Sequence, residues 1–538
     1  MKTLLLSSLS LCVSVVSTAF TAAADPTYWQ DVRPILRKNC TVCHSEKTLK
    51  EPDVSAGLAV DSYEAILKGS KKPVVKKGNG ADSLLITLLR HPKPSQRMPL
   101  DAEPLDDATV ALLKKWVDLG MPEGVKPKET DVAIVTTPGK SRKLDVVLAT
   151  RTPLPKLVAK PGQTGPLELV LQVGPLAPIT ALAFSPDGKQ LVAGCYGRVV
   201  VWDMASGAPA KVLTNVLGAV NDIRFAPDGK SLAVAGGQPS ARGDIRLYDT
   251  SDWRLTATLG GHLDVVASVS FRHDGKQLAS ASFDKTVRIW DLETKQPVLT
   301  YTGHSDFVYG VAFGPKGDWF ATASKDRSSR MVDAKTGKSI FTFSGTDQDV
   351  LCVAVRPDGE QVVTSGFDGG LSWWDTKTGE RVRRGGGHNV ATNEIVFTPA
   401  GDIAVSAGGD RTVRVWDAKT GVQAKSLPVD SMVYSTAVRN DGKLVASGSF
   451  DGLVRVWDQA NARLLATLLA TPDGEWLTLT PEVFCNGSDG IVKNGRWRSS
   501  GQMLPPEQIW KPAKQAGEVA KALKLDKLGE PAFAAPPK

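Results

Sequence analysis

The chain has 538 residues, more than one compact core accommodates, so about two to four domains are expected. Hydrophobic residues make up 42% and charged residues 23%, the balance of an ordinary soluble globular protein. The formal net charge of +8 is modest and diffuse, which gives no ground for expecting a nucleic-acid partner. The 50 Gly and 34 Pro are spread along the chain rather than clustered, a hint of β-rich folding.

Residues 1–24 read as a secretory signal peptide. Lys2 supplies the positive start, Leu4 to Val16 an apolar stretch, and Ala22, Ala23 and Ala24 a small-residue cleavage site. Ser and Thr interrupt the apolar run and no stop-transfer charges follow, which disfavours a membrane span. Bulky Leu11 before Cys12 disfavours a lipoprotein. The mature chain is expected to begin near Asp25, outside the cytoplasm, in the periplasm, with no integral membrane span.

Residues 25–122 carry the first candidate site. Trp29, Val32, Ile35 and Leu36 recur at helical spacing and lead into Cys40, Cys43 and His44. Cys-x-x-Cys-His in an exported chain reads as a c-type haem attachment site. Two thiols two residues apart can each join one vinyl group, and the adjacent imidazole can meet the iron. A redox disulfide and a structural zinc are the alternatives, but zinc needs a second ligand pair and none stands nearby. A shorter helix is expected over 82–90. Another opens at Asp106 and Asp107, repeats Val110, Leu113, Trp116 and Val117, and closes at Gly120. Met98, on a loop before that helix, is the candidate distal ligand, with His91 its rival. Lys68, Lys71, Lys72, Lys76 and Lys77 form a basic run, which is a solvated loop or a docking face for an acidic redox partner.

WQDVRPIL, CTVCH, SLLITLLR, RMP and LLKKWVDLGMP together resemble the planctomycete-type cytochrome c domain. The resemblance implies covalent haem c on Cys40 and Cys43, His44 as proximal iron ligand and Met98 as distal one.

Residues 123–164 turn Pro- and Lys-rich without periodicity, and a linker is expected there. A repeat follows over 165–470. The Asp that closes each hydrophobic triplet falls at 203, 249, 291, 333, 375, 417 and 458, spaced by 46, 42, 42, 42, 42 and 41 residues. Turns such as FSPDGK, FRHDGK and VRPDGE precede a strand in each unit. The array resembles the WD-repeat proteins, which implies a β-propeller, and seven units imply seven blades. In that family a Gly-His histidine, a turn Asp and a Trp form a buried network. The pattern places His262, Asp284 and Trp290 together, and likewise His388, Asp410 and Trp416. The fourth unit keeps His304 and Asp326 but has Val332 at the Trp position, and the first two units lack the turn Asp. These His and Asp residues are expected to be structural. Two stretches, 168–174 and 463–469, compete as an outer strand closing the array. Residues 471–538 resemble an extension seen after some bacterial WD-repeat arrays, expected to pack on the propeller and end in one helix. Cys195, Cys352 and Cys485 lie far apart in β-patterned sequence and are expected to be buried single thiols.

The expected architecture is a small all-α cytochrome c domain followed by an all-β seven-bladed propeller. The expected function is an exported one-electron carrier with one haem, its partners a redox protein, a propeller-bound protein or both. Haem-containing propeller oxidoreductases and a non-redox scaffold are the alternatives. DAKTGK, DTKTGE and DAKTGV echo a quinoprotein blade motif, but Phe341, Arg383 and Lys425 stand where its Trp belongs. No nucleophile–base constellation is visible, so an enzyme is the lesser expectation.

Overall fold

The computed structural model describes residues 25–33, 35–36, 40, 59–60, 62–69, 73–93, 98, 105–124, 144–153, 166–214, 216, 218–344, 348–499 and 502–529. The chain divides into two compact units, 1–132 and 133–538. The expected leader, and with it the expectation of export, lies outside the described residues.

Every regular element described in the first unit is helical. A π-helical turn at Tyr28–Val32 is followed by helices Tyr63–Lys68, Leu84–Leu89 and Asp107–Asp118. Ser62 caps the second of these elements by accepting from the Ala65 amide at 3.0 Å. The longest helix starts because Asp106 accepts from the Thr109 amide at 2.7 Å and stops at Gly120, whose φ of 80° suits the left-handed turn. Its apolar stripe, Val110, Leu113, Trp116 and Val117, is buried against Tyr28, Val32, Leu36, Ile66, Ile86 and Leu89.

The described residues of the second unit form eight antiparallel sheets and three C-terminal helices. Seven come from consecutive segments: 181–213, 219–262, 266–301, 308–343, 350–385, 392–428 and 433–487. They are called the first to seventh repeat sheets below. Six have four strands and the seventh has six. In the third, Val266–Phe271, Gln277–Ser282, Val287–Asp291 and Pro297–Tyr301 pair in order, with Leu278 opposite Trp290 and Val287 opposite Tyr301. The second strand of this sheet is buried on both faces, as a strand between stacked sheets must be, while its fourth strand is largely exposed. The Asp that ends each third strand closes a local turn: Asp333 accepts from the Thr336 amide at 2.7 Å and hydroxyl at 2.8 Å. That is the work of the Asp-x-x-Thr-Gly segments here. First strands of successive sheets lie side by side, and Val433–Val438 of the seventh neighbours Ala181–Phe184 of the first.

Two expectations need correction, and one alternative left open is settled. The region 123–164, expected as a linker, contains strand Leu144–Pro153. It pairs with Pro166–Val173, which pairs in turn with Arg496–Ser499, and Gln502–Leu504 completes this eighth sheet. Arg496–Ser499 lies more than three hundred residues beyond its partner Pro166–Val173, out of the reach of any local pattern. Pro166–Val173 is therefore the surplus strand, and Arg463–Ala470 is the fourth strand of the seventh sheet. No strand is exchanged between the ends of the array. Among its described residues the tail carries three helices rather than one, Asp489–Asn494, Pro506–Ala513 and Ala516–Lys524, because the strand pair Arg496–Ser499 and Gln502–Leu504 separates the first two and the Lys514–Gln515 break separates the last two. Cys195, Cys352 and Cys485 are buried free thiols as expected. Burial is the main cause that pushes Cys485 up to about 12, so it is inert at neutral pH. No helix among the described residues is long and apolar enough to cross a membrane.

Candidate functional site

In the first unit the backbone brings the two ends of the helical core together. Tyr28 and Trp29 donate their amides to the carbonyls of Pro122 and Glu123 at 2.9 and 3.1 Å. Trp116 is fully buried and its indole N–H donates to the same Pro122 carbonyl at 3.0 Å. On this frame the Leu36 carbonyl accepts from the Cys40 amide at 2.8 Å. Cys40 is half-buried against the apolar cluster. Met98 is fixed from the other side, its amide donating to the Leu88 carbonyl at 3.0 Å, and its side chain packs half-buried against the same cluster. Cys43 and His44 lie outside the described residues.

The two other candidates for the distal position are placed differently. Met121 is itself a core residue, 1% exposed and held at φ 62° beyond the last helix. His91 is engaged in its own turn, where Nδ1 accepts from the Lys93 amide at 3.3 Å. The donor chemistry fits a covalent tetrapyrrole: a thiol and a thioether, both soft sulfur groups, share one apolar wall. Among the described residues no group of three or more His, Cys, Asp or Glu side chains forms a metal cage.

The His and Asp residues of the repeats form closed networks. His262 Nδ1 meets Asp284 at 2.9 Å and its Nε2 meets the Ser280 hydroxyl at 2.7 Å. The Trp290 indole N–H donates to that hydroxyl at 2.8 Å. His388 repeats the arrangement with Asp410 at 2.8 Å, Ser406 at 2.8 Å and Trp416 donating at 2.9 Å. His304 meets Asp326 at 2.8 Å and Thr322 at 2.7 Å, with no indole to complete the set. Burial holds His262 and His388 below the ordinary imidazole value, outweighing the opposing pull of Asp284 and Asp410. Burial pushes Asp410 up, but hydrogen bonds from Thr412 and His388 bring it down to about 2. His–Asp pairs sealed from solvent in this way have no substrate to act on. They are structural.

The hydroxyl that ties each network was not singled out in the sequence. A Ser or Thr stands ten residues before the Trp in the third, fifth, sixth and seventh units, as Ser280, Thr364, Ser406 and Ser447, and each accepts the indole N–H. That spacing is as regular as the Asp period and was available to be read.

A second ionised group escaped the sequence altogether. Arg224, on the first strand of the second sheet, meets Asp222 at 3.2 Å and Glu394, on the first strand of the sixth, at 2.8 Å. Glu394 also accepts from the Thr436 amide at 2.9 Å, and Asp222 from the Val269 amide at 2.9 Å. Burial raises the Glu394 carboxyl above its usual range, with Arg224 opposing. Arg224 lines both a polar recess containing Asn221, Asn393, Tyr309 and Tyr434 and a larger cavity of about 510 Å³ that includes Phe184, Phe225, Phe313 and Phe397. Every carboxylate oxygen there is met by a donor. The group is a strut between non-adjacent sheets.

Exposed apolar side chains recur at one turn position, directly after the second strand. Tyr196, Phe367 and Phe450 are each more than half exposed there. Phe283 holds the same position and stacks on Phe307 at 4.9 Å.

Comparison with known proteins agrees with this division. The model of the Planctomycete cytochrome C family matches residues 40–101. The model of the WD domain, G-beta repeat, matches 169–203, 253–291, 295–333, 337–375, 379–417 and 422–458. The span between the first two matches holds the longer second unit, which nevertheless forms a four-stranded sheet. Among curated proteins, the human intraflagellar transport protein 122 homolog is 46% identical over 71 residues, 13% of this chain and 5% of its own. The target of rapamycin complex subunit wat1 of Schizosaccharomyces pombe is 35% identical over 105 residues, 19% of this chain and 32% of its own. Autophagy-related protein 16 of Arabidopsis thaliana is 31% identical over 114 residues, 21% of this chain and 22% of its own. The chain thus spans a third or less of the length of these relatives, and the likeness is one of repeats.

Proposed function

Since the chain joins a Planctomycete cytochrome C domain to an array of WD40 repeats, we propose that it is an exported c-type cytochrome carrying single electrons through one covalent haem. Cys40 and Cys43 would hold the porphyrin through thioether links, with His44 and Met98 as the iron ligands. Bound there, haem c supplies a one-electron couple. The apolar cluster of Leu36, Ile86, Leu89 and Leu113 would help exclude water from a haem held at Cys40 and Met98, and a thioether ligand would favour the reduced state. The observation that carries this reading is that Cys40 and Met98, far apart in sequence, pack half-buried against the same apolar cluster.

The leader pattern of residues 1–24 supports export to the periplasm, where haem c is attached, and N-terminal sequencing of the mature protein should begin at Asp25. Seven repeat sheets, with the seventh beside the first, support a closed seven-bladed propeller. The recurrent exposed rings at Tyr196, Phe367 and Phe450 support its use as a platform for a protein partner.

The test is a reduced-minus-oxidised absorption spectrum of protein matured in a host that attaches haem c, run beside Met98→Ala. Expected are haem c bands, an oxidised far-red iron–sulfur band lost in the variant, and a lower reduction potential in the variant. Absence of covalent haem from the wild type would overturn the reading. Survival of the iron–sulfur band in Met98→Ala would put another thioether on the iron, and a wild-type spectrum without that band, unchanged in Met98→Ala but altered in His91→Ala, would put His91 there.

A further inference from the structure

The first repeat sheet lacks the His–Asp–Ser–Trp network, and no strand from the other end of the array is woven into it. It is held instead from outside. The seventh sheet continues past Ala470 into two added strands, Trp476–Leu479 and Cys485–Gly487. From them Thr478 donates its hydroxyl to the Gly207 carbonyl at 2.6 Å, and Asn486 donates its amide to the Ser206 carbonyl at 3.0 Å. Both acceptors lie in the turn before the fourth strand of the first sheet. In return, Arg198 of the first sheet donates to the carbonyls of Ala470, at 2.6 Å, and Thr471.

Helix Ala516–Lys524 lies over the same turn. A Cβ placed on Gly207 would stand 3.0 Å from Val519 and 3.2 Å from Leu523, so the helix sits against bare backbone there. Val519 and Leu523 are fully buried in one cluster with Trp202 of the first sheet and Leu468 of the seventh. Trp202, whose counterparts in the third and sixth sheets bond a Ser hydroxyl, meets Trp476 edge-on at 6.5 Å. The helix is anchored at its start by the Gln515 amide, which donates to the Cys485 carbonyl at 3.0 Å.

We propose that residues 471–529 are a latch that holds the first and seventh sheets together, replacing the strand exchange this array does not have. The proposal stands on the observed contact between those two sheets and is independent of the haem. Its parts divide the work: the helix supplies apolar burial, and the added strands fix the register through the Ser206–Gly207 carbonyls.

Hydrogen exchange on the full-length haem-loaded protein, resolved by peptide, separates a latch from general destabilisation. In Val519→Asp combined with Leu523→Asp, exchange over 181–213 should quicken by about tenfold or more while 308–343 changes by less than about twofold. In Asn486→Ala combined with Thr478→Val, which leaves the helix in place, the same segment should quicken by about threefold. Uniform quickening across all sheets, or none over 181–213, would overturn the proposal. If the charged double variant does not fold, the milder one decides by the same criterion. The haem spectrum should be unchanged in both, so a failure of the latch is not confused with a failure of the haem reading.

Discussion

The third and first repeat sheets share one strand plan and are stabilised from opposite directions. In the third, a buried carboxylate organises the interior. Asp284 accepts from His262, from the Leu263 amide and from both amide and hydroxyl of Thr286, all within 3.0 Å. In the first, Gly197 follows Tyr196 where Asp284 follows Phe283, and Asp187, in the turn between the first two strands, is half-exposed and accepts only from neighbours, Ser185 at 2.6 Å and Lys189 at 3.0 Å. A sheet in the middle of the array is braced from within, whereas the sheet at its start leans on the chain's far end. The same Trp position serves both strategies, bonding a hydroxyl in one and another Trp in the other.

The largest effect expected from this contrast is at Asp284. Asp284→Ala leaves His262 buried without its acceptor and should cost about 3 kcal/mol of unfolding free energy. Asp187→Ala in the first sheet should cost less than about 1 kcal/mol, because water replaces what it loses. Chemical denaturation of the two variants side by side measures the difference. Equal losses would mean that the buried network is not what braces the third sheet.

The fourth sheet sharpens the comparison, because it has the His–Asp pair and the hydroxyl but Val332 in place of the indole. Trp290→Phe in the third sheet removes one buried hydrogen bond and should cost about 1 kcal/mol. The reverse change, Val332→Trp, should not repair the fourth sheet. Val332 is fully buried in a cluster with Tyr301 and Phe320, whose rings lie 6.1 Å apart edge to face. Forcing an indole into that space should cost about 1 to 3 kcal/mol. A gain in stability in Val332→Trp would show that the network matters more than the packing around it.

What could be read in the sequence follows the range of the interaction. The Asp period and the His262, Asp284 and Trp290 spacing are local, so the repeat sheets and their networks were legible from position alone. Ser280 and its counterparts were equally local and were overlooked because a lone Ser carries no chemical signature. The pairing of Pro166–Val173 with Arg496–Ser499 was not legible, because two strands far apart in sequence carry nothing that names each other as partners. Arg224 and Glu394 were hidden for the same reason, each looking like an ordinary strand residue until the fold sets 170 positions between them aside. In the first unit Cys40, Cys43 and His44 stood out as a motif. Met98 could be ranked above Met121 only by reasoning about loops, and the structure separates them by placing Met121 in the core.

The smallest effect tests whether the buried histidines are neutral. Burial lowers His262 and His388 in the folded protein, while in the unfolded chain each takes a proton near its ordinary value of about 6.5. Below that pH the unfolded chain binds protons that the folded chain refuses, so stability is fully present above about 6.5 and declines as pH falls toward the lowered folded values. Each histidine can contribute a slope of at most about 1.4 kcal/mol per pH unit. Asp410, lowered to about 2, acts in a separate window: its contribution is present above about 3.9 and is lost as pH falls through the folded value. Between pH 7.5 and 5.5 the melting temperature should therefore fall, and the fall should be shallower in His388→Gln, which cannot take up the proton. A melting temperature that rose on acidification over this range would mean the histidines are charged in the fold, with each His–Asp pair acting as a buried salt bridge. The bracing of the third and sixth sheets would then be ionic rather than a matter of hydrogen bonds, and the contrast with the first sheet would be one of charge.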